Sequence, residues 1–292
     1  MKIFTVPFVI SCIFCIPATV AAQSAPPNDR VPIYRVNVVQ RSLQAVNFQR
    51  HAGPTQLDLK GTVLLPKAEG RAVVEVKNGY TKIDFNLKKL DPPTMFGTEF
   101  LTYVLWAITP DGKAVNLGEV VASGSGKACM HVTSPYSTFG LVITAEPYFS
   151  VPYPSDAMVV ESAVRPDTVG RVEEVEAKAE LLPRGQYTLN IRASQLASAN
   201  MQNQPTVSME RYEATTTLYQ ARNAIQIARA DGAGQAAAPT LAKARGYLDQ
   251  AEAAYAKKNY KSMIDSARQA VEAASDARMI AMRQKKTVGT EQ

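Results

Sequence analysis

Apolar and polar residues alternate in short runs from Val31 to Arg192, and after Thr206 the apolar ones recur every three or four positions. The first period is that of half-buried strands and the second that of amphipathic helices. Leu57, Leu59, Val63 and Leu65 alternate with Asp58, Lys60, Thr62 and Leu64. Val74 and Val76 lead into Asn78-Gly79, with Ile83, Phe85 and Leu87 beyond it. Asn-Gly favours a type I′ turn, so this stretch predicts a hairpin with one wet face. Phe100 to Ile108 (FLTYVLWAI) is apolar on both faces and predicts a central buried strand carrying Trp106, the only tryptophan. Thr109-Pro110-Asp111-Gly112 then turns the chain into AVNLGEVV. Further strands are predicted at Ala128–Thr133, Phe139–Ala145, Met158–Val164, Val172–Leu182 and Tyr187–Ile191. Many short strands at this spacing point to an antiparallel, Ig-like β-sandwich with Trp106 as a core anchor, a barrel being the alternative.

Gln195 to Thr206 is polar and weakly patterned, as a linker is. Beyond it, Leu218, Ala221, Ile225 and Ala228 mark one helix face, which Asp231-Gly232 closes. Leu241, Ala244, Leu248, Ala251 and Tyr255 mark a second helix, with Pro239 suited to its first turn. Tyr260, Ile264, Ala267, Val271, Ala274 and Ala277 mark a third. The packing stripe of the hairpin is expected to run through Leu248, Ala251, Tyr255, Tyr260, Ile264 and Ala267. Alanine there lets helix axes approach to roughly 8 Å. The short turn Lys257-Lys258-Asn259 makes the second and third helices antiparallel neighbours. The fold class is therefore β + α in two domains, a β-sandwich followed by an α-helical hairpin or three-helix domain. Its boundaries are a sandwich over 23–192, a linker over 193–206, helices over 207–286 and a tail over 287–292.

The first 22 residues obey neither pattern. Lys2 precedes the apolar run Ile3–Ile16, and Val20-Ala21-Ala22 supplies small residues before Gln23. That is the form of a secretory signal peptide, with a periplasmic or extracellular location as the expectation. Val9-Ile10-Ser11-Cys12 loosely resembles a lipoprotein processing site, but the following IFCIPATV is apolar like a signal core, so acylation at Cys12 is not expected. Cleavage after Ala22 removes Cys12 and Cys15 and leaves Cys129 alone, without an internal disulfide partner. The formal charge of +6 loses Lys2 and becomes +5. Such mild basicity is no nucleic-acid footprint. No transmembrane span is expected, since no later stretch reaches the ~20 apolar residues one needs.

Candidate chemistry is sparse. Ser123-Gly124-Ser125-Gly126-Lys127 approaches a phosphate-binding loop, but Val121 and Ala128 stand where a glycine and a Ser or Thr are required. A hairpin loop is the simpler reading. Cys129 and His131 lie two apart on a predicted strand, hence on one face, and a thiol–imidazole pair is a possible nucleophile. The glycine and serine surroundings of such enzymes are missing, and the one other histidine is His51. The expectation is no enzyme, no catalytic residue, no cofactor and no metal, since a structural zinc site wants four ligands. Tyr148, Phe149 and Tyr153 interleave with Pro147, Pro152 and Pro154. These aromatics form a candidate ledge for a peptide or a glycan, or else cover the sandwich edge.

YVLWAITPDGKAVNLGEV with FGLVITAEP resembles the extracytoplasmic sandwich of anti-sigma factors over about fifty residues. The zinc-binding helical domain and membrane span of those regulators are not seen in this sequence, so their function is not implied. The stretch ARADGAGQAAAPTLAKARGYLDQAEAAYAKKNYKSMIDSARQAVEAASDA resembles an uncharacterised alanine-rich helical domain of bacterial envelope proteins. The likeness rests on the run Ala238 to Arg245, on Leu248 and Ala251, and on Tyr255 and Asn259-Tyr260. In that family the domain often precedes an OmpA-like peptidoglycan-binding domain, which does not follow here before Gln292. The pattern is also similar to one tetratricopeptide helix pair, where a solenoid needs about three.

Together these features lead to the expectation of a non-enzymatic cell-envelope protein, a structural or protein-interaction module. Its partners would be another envelope protein or a second copy, held through the helical domain. The alternatives are an adaptor for peptidoglycan or another envelope glycan, and a thiol enzyme using Cys129 and His131.

Overall fold

The computed structural model describes residues 41–48, 53–169, 171–177 and 209–290. The signal segment, His51, the strand expected at Tyr187–Ile191 and the linker over 193–206 lie outside them. Ten strands come first: β1 (Arg41–Asn47), β2 (Thr55–Gly61), β3 (Glu69–Lys77), β4 (Tyr80–Lys88), β5 (Thr102–Ile108), β6 (Ala114–Val120), β7 (Ala128–Ser134), β8 (Thr138–Glu146), β9 (Met158–Ala163) and β10 (Arg171–Ala177). Four helices follow: α1 (Met209–Ala230), the single turn α2 (Ala233–Ala236), α3 (Ala238–Ala256) and α4 (Tyr260–Thr290). The expected helical hairpin or three-helix domain thus has three long helices and one short one. Strands and helices belong to one compact unit.

The hairpin at Asn78-Gly79 joins β3 to β4 in register from Lys77↔Tyr80 to Glu69↔Lys88. Gly79 has φ +89°, a value that side-chain-bearing residues rarely adopt. All pairings among the described residues are antiparallel. The sheet runs β6-β5-β8-β9-β2-β3-β4-β7, with β1 also on β8 and β10 on β1. β7 returns beside β6, to which it has no ladder of hydrogen bonds. The sheet is therefore nearly closed. It encloses a core that includes Leu59, Ile83, Phe85, Tyr103, Leu105 and Leu141.

β5 explains the helices. Every residue of it is buried. Tyr103, Leu105 and Ala107 point into the enclosed core, whereas Val104, Trp106 and Ile108 pack with the helices. Trp106 is thus not the anchor of a sandwich interior that the sequence suggests. It is fully buried, but on the outer side of the sheet, among residues such as Val142, Leu218, Ala221 and Ile225. Burying Val104, Ile108 and Val142 there contributes about 2 kcal/mol each.

The helical stripes lie where the spacing puts them. Leu218, Ala221, Ile225 and Ala228 are buried in α1, Leu241, Ala244 and Ala251 in α3, and Ala267, Val271, Ala274 and Ala277 in α4. Leu248, Tyr255, Tyr260 and Ile264 are half-buried against them. Gly232, at φ +92°, ends α1. α3 packs mainly on α4 and is the outer helix, with Ala242, Lys243, Arg245, Asp249, Gln250 and Glu252 exposed.

The packing yields two opposite expectations. A side chain built on Gly246, in mid-α3, would meet nothing within 4 Å among the described residues. Gly246→Ala should therefore raise stability by roughly 0.5–1 kcal/mol, the helix-propensity difference. Ala267→Leu should lower it by about 1–3 kcal/mol through overpacking. Urea unfolding of the two variants checks both signs.

Candidate functional site

Two places gather the polar side chains of interest. The first is the seam between sheet and helices, built around the segment after β8. A bulge in the β5–β6 pair sets Trp106 opposite Asn116 and Leu105 opposite Gly118. Asn116 Nδ2 then donates to the carbonyls of Phe149 (2.9 Å) and Val151 (3.0 Å). Gln220 of α1 accepts from the Phe149 amide at 2.9 Å, and its Nε2 donates to Glu119 Oε1 at 2.8 Å. Glu119, 7% exposed, also accepts from Thr102 Oγ1 and from Arg268 Nη1 of α4, each at 2.8 Å. The Arg268 guanidinium lies over the Phe149 ring, 4.3 Å from its centre. Ser275 Oγ donates to the Ser150 carbonyl at 2.6 Å, and Asn223 Nδ2 to the Glu99 carbonyl at 3.2 Å.

The expected aromatic ledge is consequently divided. Tyr148 is fully buried, and its hydroxyl accepts from Arg278 Nη1 at 3.3 Å. Burial pushes its pKa up. Phe149 is half-buried beneath Arg268, and Tyr153 stays exposed. The protein's own helices occupy most of the surface that Tyr148 and Phe149 would offer.

The second place is the outer face of β4 and β7. Register sets Asp84 opposite His131 and Asn86 opposite Cys129. Cys129 and His131 share that exposed face, as their spacing requires. His131 Nδ1 lies 2.6 Å from Asp84 Oδ1, and Lys82 Nζ lies 2.8 Å from Asp84 Oδ2. Lys82 first, and His131 second, hold the Asp84 carboxyl below its ordinary range. Among the described residues no hydrogen bond joins Cys129 to His131, whose side chain is 75% exposed. The arrangement offers a free surface thiol beside an oriented imidazole. Catalysis also needs donors aimed at developing charge in a water-poor site, and an open sheet face excludes no water.

Among the described residues no three His, Cys, Asp or Glu side chains converge as metal ligands do. No helix among them is long and apolar enough to cross a membrane. Sequence reading missed Glu119, Gln220, Asn223, Arg268 and Arg278. Their one signal is that Thr217, Gln220 and Asn223 recur at helical spacing beside the apolar stripe of α1, which gives that helix a second buried face. No family model matches the chain, and no curated protein matches it in sequence.

The seam sets a testable contrast. Glu119→Ala leaves Thr102, Gln220 and Arg268 without their acceptor and should cost about 1–3 kcal/mol in urea unfolding. Arg222→Ala removes the exposed Arg222–Glu252 pair, 2.7 Å, and should change stability by roughly 0.5 kcal/mol or less.

Proposed function

We propose that the chain is a non-enzymatic protein of the cell envelope, a module that binds another protein through the outward face of α3. Export rests on the form of residues 1–22. The face itself carries the binding role. Ala242, Gly246, Asp249, Ala253 and Ala256 follow one another at spacings of four and three, on the side of α3 opposite Leu241, Ala244 and Ala251. Ala242, Asp249, Ala253 and Ala256 are exposed. Gly246 is the central observation. Glycine in a helix interior costs about 1 kcal/mol against alanine, and no neighbour among the described residues needs its missing side chain. A partner helix approaching closely along the seam supplies the need. Lys243, Arg245, Gln250 and Glu252 flank the seam as a polar rim.

The partner is a second copy or a helix of a different envelope protein. A glycan-binding role has less support, because Tyr148 and much of Phe149 face inward. The thiol reading draws on one observation, the 2.6 Å contact that orients His131 on Asp84.

Ala253→Leu fills the seam at an exposed position, so the fold should be unchanged while association is lost. Sedimentation of the purified chain, and cross-linking in intact envelopes, read the two kinds of partner. Association unaffected by both Ala253→Leu and Gly246→Leu would refute the seam. Loss of cellular function in folded Cys129→Ala and His131→Ala variants would instead favour the thiol reading.

A further inference from the structure

A carboxylic acid lies wholly inside the seam. Glu146, the last residue of β8, is fully buried. Its Oε1 accepts from the Thr144 hydroxyl and from the Ser155 amide at 2.7 Å. Thr144 in turn accepts from Trp106 Nε1 at 2.8 Å. Oε2 has no hydrogen-bond partner among the described residues. An ionised carboxylate left in that state would be expensive, whereas a neutral acid with its proton on Oε2 is tolerable. The charged group facing it from the helical layer is Arg278 of α4. That guanidinium is already engaged with Asp231 Oδ2, through Nε at 2.6 Å, and with the Tyr148 hydroxyl. Asp231 comes from the end of α1 and Tyr148 from the chain just past β8. Trp106 is linked to the acid through Thr144, and Asp156, also buried, follows Ser155 in the chain.

We propose that Glu146 is a proton-controlled latch: docking of the helical layer on the sheet holds one proton on its buried carboxyl, and loss of that proton loosens the layer. The geometry supplies the direction. In the docked form the anion would keep two donors and the field of Arg278, but full burial shuts it off from bulk solvent. In an opened form it would be hydrated. Burial outweighs the opposing pull of Thr144, Ser155 and Arg278, and the carboxyl is pushed up to about 8 from an ordinary 4.5. An acid raised in this way stabilises the docked form fully below its ordinary value. That contribution then declines as pH rises, and is gone above the raised value. The latch is closed in acid and slackens progressively as the pH rises toward about 8.

Trp106 provides a built-in reporter, being the only tryptophan and hydrogen-bonded to Thr144 beneath the helices. In the full chain its emission should shift to the red between about pH 5 and about pH 8, as the seam admits water. Glu146→Gln mimics the protonated acid, and its emission should stay constant over that range. Carbon-13 NMR of glutamate-labelled unaltered protein should show one carboxyl titrating well above the rest, which needs no variant to fold. A pH-dependent shift of equal size in wild type and Glu146→Gln would overturn the latch. So would a glutamate spectrum in which every carboxyl titrates in the ordinary range. Neither result bears on the α3 seam.

Discussion

The structure depends on one constraint: β5 and β8 have no face that can be left in water. Val104, Trp106, Ile108 and Val142 lie outside the nearly closed sheet, and a second layer must cover them. α1 and α4 supply that layer. A sheet with one enclosed core and one wet face would stand by itself. Here two hydrophobic clusters share the same strands, so the helices complete the sheet instead of trailing from it.

Apolar contact is non-directional, and polar contacts fix how the layer is seated. Glu119 gathers one donor from the sheet and one from each of two helices. The Phe149–Val151 segment is held by Asn116 on one side and by Gln220 and Ser275 on the other. Shifting either helix by one turn would break several of these together, leaving buried groups unsatisfied. The alanine stripes act differently. They bring α3 and α4 close and leave the outer face of α3 exposed among the described residues.

Much of this was legible in the sequence, for physical reasons. Asn78-Gly79 demands its turn locally, and the stripe from Tyr260 to Ala277 follows helical geometry alone. The run FLTYVLWAI also held the answer to where the helices go, since a strand apolar on both faces implies cover on both. Strand spacing alone suggests the middle of a sandwich, because it does not say whether a sheet or a helix provides that cover. The polar seam was illegible. Gln220 reaches Phe149 and Glu119, and Arg278 reaches Tyr148, across 71 to 130 positions of chain. In a linear pattern such residues look like ordinary solvated ones. Tyr148 is ambiguous for the same reason, because an aromatic among prolines fits a ledge or a plug equally well, and its burial makes it the plug. Cys129 and His131 share a face as period two dictates, but Asp84 joins them only through the β4–β7 register.

Whether sheet and helices form one cooperative structure while Glu146 is protonated is the central claim, and native-state hydrogen exchange at increasing urea and about pH 5 tests it most directly. The amides of β5 and β8 and those of α1 should merge into a single opening event with one free energy and one urea dependence. Exchange of α1 and α4 through a separate, lower-energy opening, with β5 still fully protected, would contradict it and restore two independent domains.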